Sequence, residues 1–154
     1  MKKLLVIFFA LAIIFAAANA KAATDTSAVT ATATVAANCD IQSVTNLNFG
    51  AYDPTNTTAD DDGAGSVSFK CTKGTAYNTY VAGSRTMTNG TDTLNFQLYQ
   101  ESGRTTAYPS VTPGVTGTAA NNNTITSNLY GRIAALQNVG TGIYNGSVTF
   151  TVEY

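Results

Sequence analysis

The sequence predicts an all-β protein, an antiparallel β-sandwich, and three observations carry that prediction. Beyond residue 20 the apolar residues recur at every second position in short segments, the spacing of a strand with one buried and one wet face. Clusters of glycine, asparagine, aspartate and threonine separate those segments and suit turns. No segment of the same region repeats its apolar residues at helical spacing, so strands alone must supply the core.

The chain begins with an address. Lys2 and Lys3 precede 15 uninterrupted apolar residues, Leu4 to Ala18, and Ala18-Asn19-Ala20 offers the small residues of a cleavage site. A secretory signal peptide is expected over 1–20. Ala20-Lys21-Ala22 fits the same rule, so the cut falls after residue 20 or 22. A run of 15 is shorter than the roughly 20 residues that span a bilayer. Without the signal, six basic residues (Lys21, Lys70, Lys73, Arg85, Arg104, Arg132) face nine acidic ones, a balance of −3. No basic cluster is left to track a phosphate backbone, which argues against nucleic acid as a partner. About 130 remaining residues suffice for one domain with its own core.

Residues 21–38 form a segment of their own ahead of a domain at 39–154. Within it Val29, Ala31, Ala33, Val35 and Ala37 alternate with Thr30, Thr32 and Thr34, which reads as a strand apolar on one face and hydroxylated on the other. The run ends against Asn38-Cys39. Cys39 and Cys71 are the only cysteines, and an even number in an exported chain favours a disulfide. Cys39 shares parity with Ile41, and Cys71 with Val67 and Phe69, which aims both thiols inward. Metal binding is the poorer reading, because two cysteines without any histidine do not fill a tetrahedral zinc site.

The next strands are expected at Leu47 and Phe49, at Val67, Phe69 and Cys71, at Tyr77 to Val81, and at Leu94, Phe96 and Leu98. Leu129 to Ile133 follows, and Val148, Phe150, Val152 and Tyr154 close the chain. Asp60-Asp61-Asp62-Gly63 resembles a calcium loop only superficially. With Gly63 at the sharp turn, Thr58 and Phe69 fall on the first and last ligand positions, so a solvated acidic turn is expected. Thr105 to Asn123 reads as a long, exposed, mobile loop. The absence of histidine removes the usual general base, and no serine or lysine sits in a nucleophile motif. An enzyme is not expected, nor a cofactor, a metal or a small-molecule substrate.

In order along the chain stand Asn38-Cys39-Asp40-Ile41, Leu47-Asn48-Phe49-Gly50-Ala51-Tyr52-Asp53, Val67-Ser68-Phe69-Lys70-Cys71, Arg85-Thr86-Met87, Leu94-Asn95-Phe96-Gln97-Leu98-Tyr99 and Leu129-Tyr130-Gly131-Arg132-Ile133. The ending runs from Gly142-Ile143-Tyr144 to Tyr154. With these segments the chain resembles the spore coat protein U domains found in subunits of archaic chaperone-usher pili. Two departures are visible: Gly146 stands where members often carry an acidic residue, and the segment before Cys39 is short and rich in alanine and threonine.

The resemblance implies an immunoglobulin-like sandwich that is incomplete and is completed by a donor strand. It implies a periplasmic chaperone that fills the gap temporarily and an outer-membrane usher where the N-terminal strand of a neighbouring identical or related subunit replaces it. Export to the periplasm and then the cell surface or exterior follows. On this reading Val29, Ala31, Ala33, Val35 and Ala37 are the donor's inward face, and Val148, Phe150, Val152 and Tyr154 form a wall of the groove. Tyr154 also contacts the chaperone through its carboxylate. The function implied is a structural pilus subunit, in a fibre for adhesion and biofilm formation. A secreted spore or cell coat protein of the same fold is the alternative, with a carbohydrate-binding adhesin using Tyr77, Tyr80 or Tyr108 behind it. The short Asn38 link favours exchange between subunits over a strand folding back into its own groove, and both stay open.

Overall fold

A computed structural model describes residues 22–154; the predicted signal peptide lies almost wholly outside the described residues. The chain divides into a first unit that ends at Ala33 and a second, Thr34–Tyr154, which holds all the strands found among the described residues. That second unit is all-β, with two antiparallel sheets stacked as a sandwich and no helix among the described residues.

Eight strands follow in order: β1 Cys39–Asn48, β2 Ala64–Cys71, β3 Ala76–Ala82, β4 Thr86–Thr88, β5 Thr93–Tyr99, β6 Val115–Thr118, β7 Ile125–Ile133 and β8 Thr149–Glu153. One sheet has the order β1-β2-β7-β5-β4, the other β6-β3-β8. The alternation read from the sequence is the burial observed. In β5 Leu94, Phe96 and Leu98 are buried while Thr93, Asn95 and Gln97 face water. In β2 Val67, Phe69 and Cys71 point inward. The main core joins Phe49, Val67, Val81, Leu94, Phe96, Leu98, Tyr108, Leu129 and Ile133, and Phe69, Cys71 and Ala119 form a smaller cluster.

Close approach explains one glycine in β7. The Phe49 ring lies against both Gly131 and Gly63, so a methyl group at either position would press into that ring. Phe49 sits just past β1 and seals the core by crossing these two side-chain-free positions.

Local hydrogen bonds account for the turns. Asp53, Asn56, Asp60, Asn89 and Asn121 each accept, through a side-chain oxygen, the backbone N–H two residues on. Elsewhere the expectation of a loop gives way. Residues 105–123 contain β6, which pairs with β3, and they bury Tyr108 and Ala119. Four threonine- and glycine-rich residues at an edge carry too little apolar alternation to be read as a strand; pairing with β3 makes them one.

Candidate functional site

The two sheets meet with unequal edges, and the site lies between them. β1 is an edge of the five-stranded sheet and pairs only with β2; β8 is an edge of the three-stranded sheet and pairs only with β3. β1 starts at Cys39, beside the cluster that includes Val152, and ends near Leu47, which packs on the same cluster as Val148 and Tyr144. The two edge strands therefore run in opposite directions along one groove.

The lining of that groove is apolar and open. Residues directly opposite in a ladder share a face. Ile41 stands opposite buried Phe69, and Val44 opposite buried Val67, yet Ile41 is 43 % and Val44 61 % exposed. Across the gap Phe150 is opposite Val81 and Val152 opposite Thr79, both of them buried, while Phe150, Val152 and Val148 are only partly covered. Inward-facing apolar side chains on two unpaired edges are left half in water, alongside two rows of unsatisfied backbone groups. Val44 joins Ile41 on this face because the register shifts between Ile41 and Ser43, a bulge that strict parity does not foresee.

At the Leu47 end of β1 lies a pocket of about 670 Å³, lined among others by Leu47, Met87, Ile133, Val139 and Tyr144. At the other end Cys39 and Cys71 are opposite each other in β1 and β2 and form the disulfide, with Cα atoms 4.1 Å apart. The residues before Cys39 are held there too. The Thr72 N–H donates to the Asn38 carbonyl at 2.8 Å, the Thr72 hydroxyl to the Ala36 carbonyl at 3.3 Å, and the Tyr154 hydroxyl to Asn38 Oδ1 at 3.3 Å.

The predicted donor residues form no strand in this structure. Residues 22–38 lie outside both sheets and are exposed throughout, with Val29 at 93 % and Val35 at 79 %. The strand reading of Val29, Ala31, Ala33, Val35 and Ala37 is thus not realised within the chain alone, because no ladder partner satisfies their backbone. Of the predicted wall, Phe150 and Val152 lie in β8, while Val148 and Tyr154 flank it and Tyr154 is mostly exposed.

Several polar residues that invited a chemical reading are occupied structurally. Asp61 accepts two hydrogen bonds from Arg132, at 2.6 and 2.8 Å, and lies 3.5 Å from Arg104 Nε. The Arg132 hydrogen bond above all, with the field of Arg104, outweighs desolvation and holds the Asp61 carboxyl below its usual range. The acidic turn is therefore pinned to β7, not merely solvated. Glu101 accepts from the Thr105 N–H and hydroxyl and the Thr106 N–H, which lowers its pKa, the direction opposite to that wanted in a general acid. Glu153 is exposed at the end of β8. Among the described residues no group of three or more His, Cys, Asp or Glu is placed to hold a metal ion.

Tyr108 packs in the core and is no stacking platform. It is 3 % exposed and its hydroxyl bonds Thr79 Oγ1 at 2.9 Å and Ser127 Oγ at 2.6 Å, so a polar tip is satisfied inside the core and no face is offered to a sugar. Tyr77 sets its ring edge-on to Phe69, with centroids 5.2 Å apart. Tyr80 is half-buried opposite Thr151. Two arginines missed in the sequence hold loops to strands: Arg85 donates to the Leu98 and Tyr108 carbonyls, and Arg104 to the Gly131 and Ser102 carbonyls. Gly146 also gains a physical reason, since any side chain there would strike the Thr86 carbonyl.

A comparison with curated proteins found no match. The family model described as Spore Coat Protein U domain matches residues 25–151, which takes in the N-terminal run, the disulfide and the first three residues of β8. The open groove and the matched span lead to one conclusion: the chain belongs to the Spore Coat Protein U domain family, a family of pilus- and coat-type structural proteins.

Proposed function

We propose that the protein is a structural subunit of an archaic chaperone-usher pilus that polymerises by donor-strand exchange into a surface fibre, serving adhesion and biofilm formation. The observation that carries this reading is the pairing of an absence with a surplus. An apolar groove lies open between β1 and β8, and the same chain presents an exposed run with apolar residues at every second position. A strand laid in the groove would satisfy the edge N–H and C=O groups and cover Ile41, Val44 and Phe150 together.

Before assembly the same groove needs a temporary occupant, and a periplasmic chaperone strand has that role, with the Tyr154 carboxylate as an accessible anchor for a basic residue. The outer-membrane usher is then the place of exchange. Deleting Val29 to Ala37 while keeping the signal peptide tests the reading. The expected result is a subunit without fibres in electron microscopy and without a ladder on an unboiled SDS gel; ordinary fibres from this variant would refute it. The family description supports one second reading, a coat protein of the same fold, which neighbouring chaperone and usher genes would disfavour.

A further inference from the structure

We propose that Thr141, Gly142 and Ile143 form a strap with two seats: the outward one seen here, and an inward one in which Ile143 turns over the 670 Å³ pocket and shields that end of the core, with Gly142 as the hinge.

The freedom to move is confined to these three residues of the connection between β7 and β8. Its first part is locked. The Tyr52 hydroxyl donates to the Ala134 carbonyl at 2.8 Å and accepts from the Gln137 N–H at 3.0 Å. The Gln137 side chain in turn grips the backbone of Asn95 from both sides, accepting from its N–H at 2.8 Å and donating to its carbonyl at 2.7 Å. These bonds hold Leu136 at a φ of 59°, a conformation that a leucine keeps only when its surroundings impose it. Further on, the chain is pinned at two points. The Gly140 N–H donates to Asp92 Oδ2 at 2.7 Å and the Tyr144 hydroxyl to the Gly140 carbonyl at 2.8 Å, while Asn145 and Thr88 exchange two backbone hydrogen bonds, at 2.9 and 3.1 Å. Between those pins, residues 141–143 make no hydrogen bond to any of the described residues. Nothing but packing fixes them.

Packing pulls the strap inward. Ile143 is 82 % exposed, yet it stands at the rim of a pocket whose lining includes Phe49, Leu94 and Ile133 of the main core. An isoleucine left in water beside uncovered apolar surface gains by turning over it. The outward seat depends on glycine for two reasons. Gly142 has a φ of 155°, a region that residues with a side chain rarely adopt. A Cβ there would also lie 3.0 Å from Asn89 Nδ2, and Asn89 cannot swing aside freely because its Oδ1 accepts the N–H groups of Thr91 and Asp92 at 2.9 and 2.8 Å. An inward turn takes residue 142 out of that conformation and away from Asn89. Because Asn145 stays tied to Thr88, the turn leaves β8 and its wall of the groove in place, so the strap works with the groove empty or filled.

The chain contains no tryptophan, so Ile143→Trp in the monomeric chain places a single indole on the strap. With Gly142 retained, a red emission maximum and full access to acrylamide are expected. Adding Gly142→Ala removes the outward seat, and a blue shift with loss of most of the quenching is expected; equal emission and equal quenching in the two variants would overturn the hinge. A measurement on the parent stands beside this. Backbone amide relaxation dispersion is expected to show microsecond-to-millisecond exchange at 141–143 and none at 134–137. Flat profiles at 141–143 would overturn the two seats, and exchange spread evenly over 134–148 would overturn the confined strap.

Discussion

Truncating Val35 separates a strand used by a neighbour from one used by its own domain. Val35 is 79 % exposed in the chain alone, so nearly all of its transfer free energy is still to be gained when the structure is isolated. Val35→Ala removes two methyl-sized groups at about 0.8 kcal/mol each, about 1.6 kcal/mol per contact, which is on the order of 15-fold in the exchange equilibrium. Any space left unfilled in the groove adds to this. The assay is the denaturant midpoint for dissociation of purified fibres, set against that for unfolding of the monomeric chain. The fibre midpoint should fall and the monomer midpoint should hold. A monomer that loses the full increment while the fibre does not would refute the reasoning, because the valine would then already be buried in its own domain.

Other consequences follow from contacts within the sandwich. Cys71→Ser opens a loop of 32 residues' separation and should lower stability by about 3 to 4 kcal/mol in the chain-entropy view; an unchanged midpoint under oxidising conditions would contradict it. Tyr108→Phe removes the partner of Thr79 and Ser127 and should cost about 1 to 2 kcal/mol in chemical denaturation. Asp61 has a folded-state pKa below its unfolded value, so its contribution is present above the unfolded value and is lost as pH falls through the folded one. Below about pH 4 the parent should lose stability more steeply than Asp61→Asn, by a difference within about 1 kcal/mol because the pair is partly exposed; identical profiles would count against the Arg132 contact.

Alternation made the fold legible wherever one face of a strand is buried. β5 and β2 could be read residue by residue, because Leu94, Phe96 and Leu98, or Val67, Phe69 and Cys71, meet the core while their neighbours meet water. β6 was not legible, since Val115 to Thr118 owe their conformation to β3 and not to their own pattern. The partners of Tyr108 were not legible, because a tyrosine among threonine, proline and glycine carries no sign of the two hydroxyls waiting for it across the sandwich. Of the groove, the β8 wall was visible as alternation at the end of the chain. The β1 wall was half hidden: Ile41 follows from Cys39 by parity, but Val44 reaches the same face only through a bulge. The pocket gathers Leu47, Met87 and Tyr144 from distant segments, which only the fold brings together.

The central claim is that Val29 to Ala37 becomes a ladder strand in another copy. Amide hydrogen exchange, read by mass spectrometry on fibres and on monomer, tests it most directly. Protection of 30–36 and of β8 in fibres, with free exchange of 30–36 in the monomer, is the predicted result; free exchange of 30–36 in fibres, or protection already present in the monomer, would contradict it.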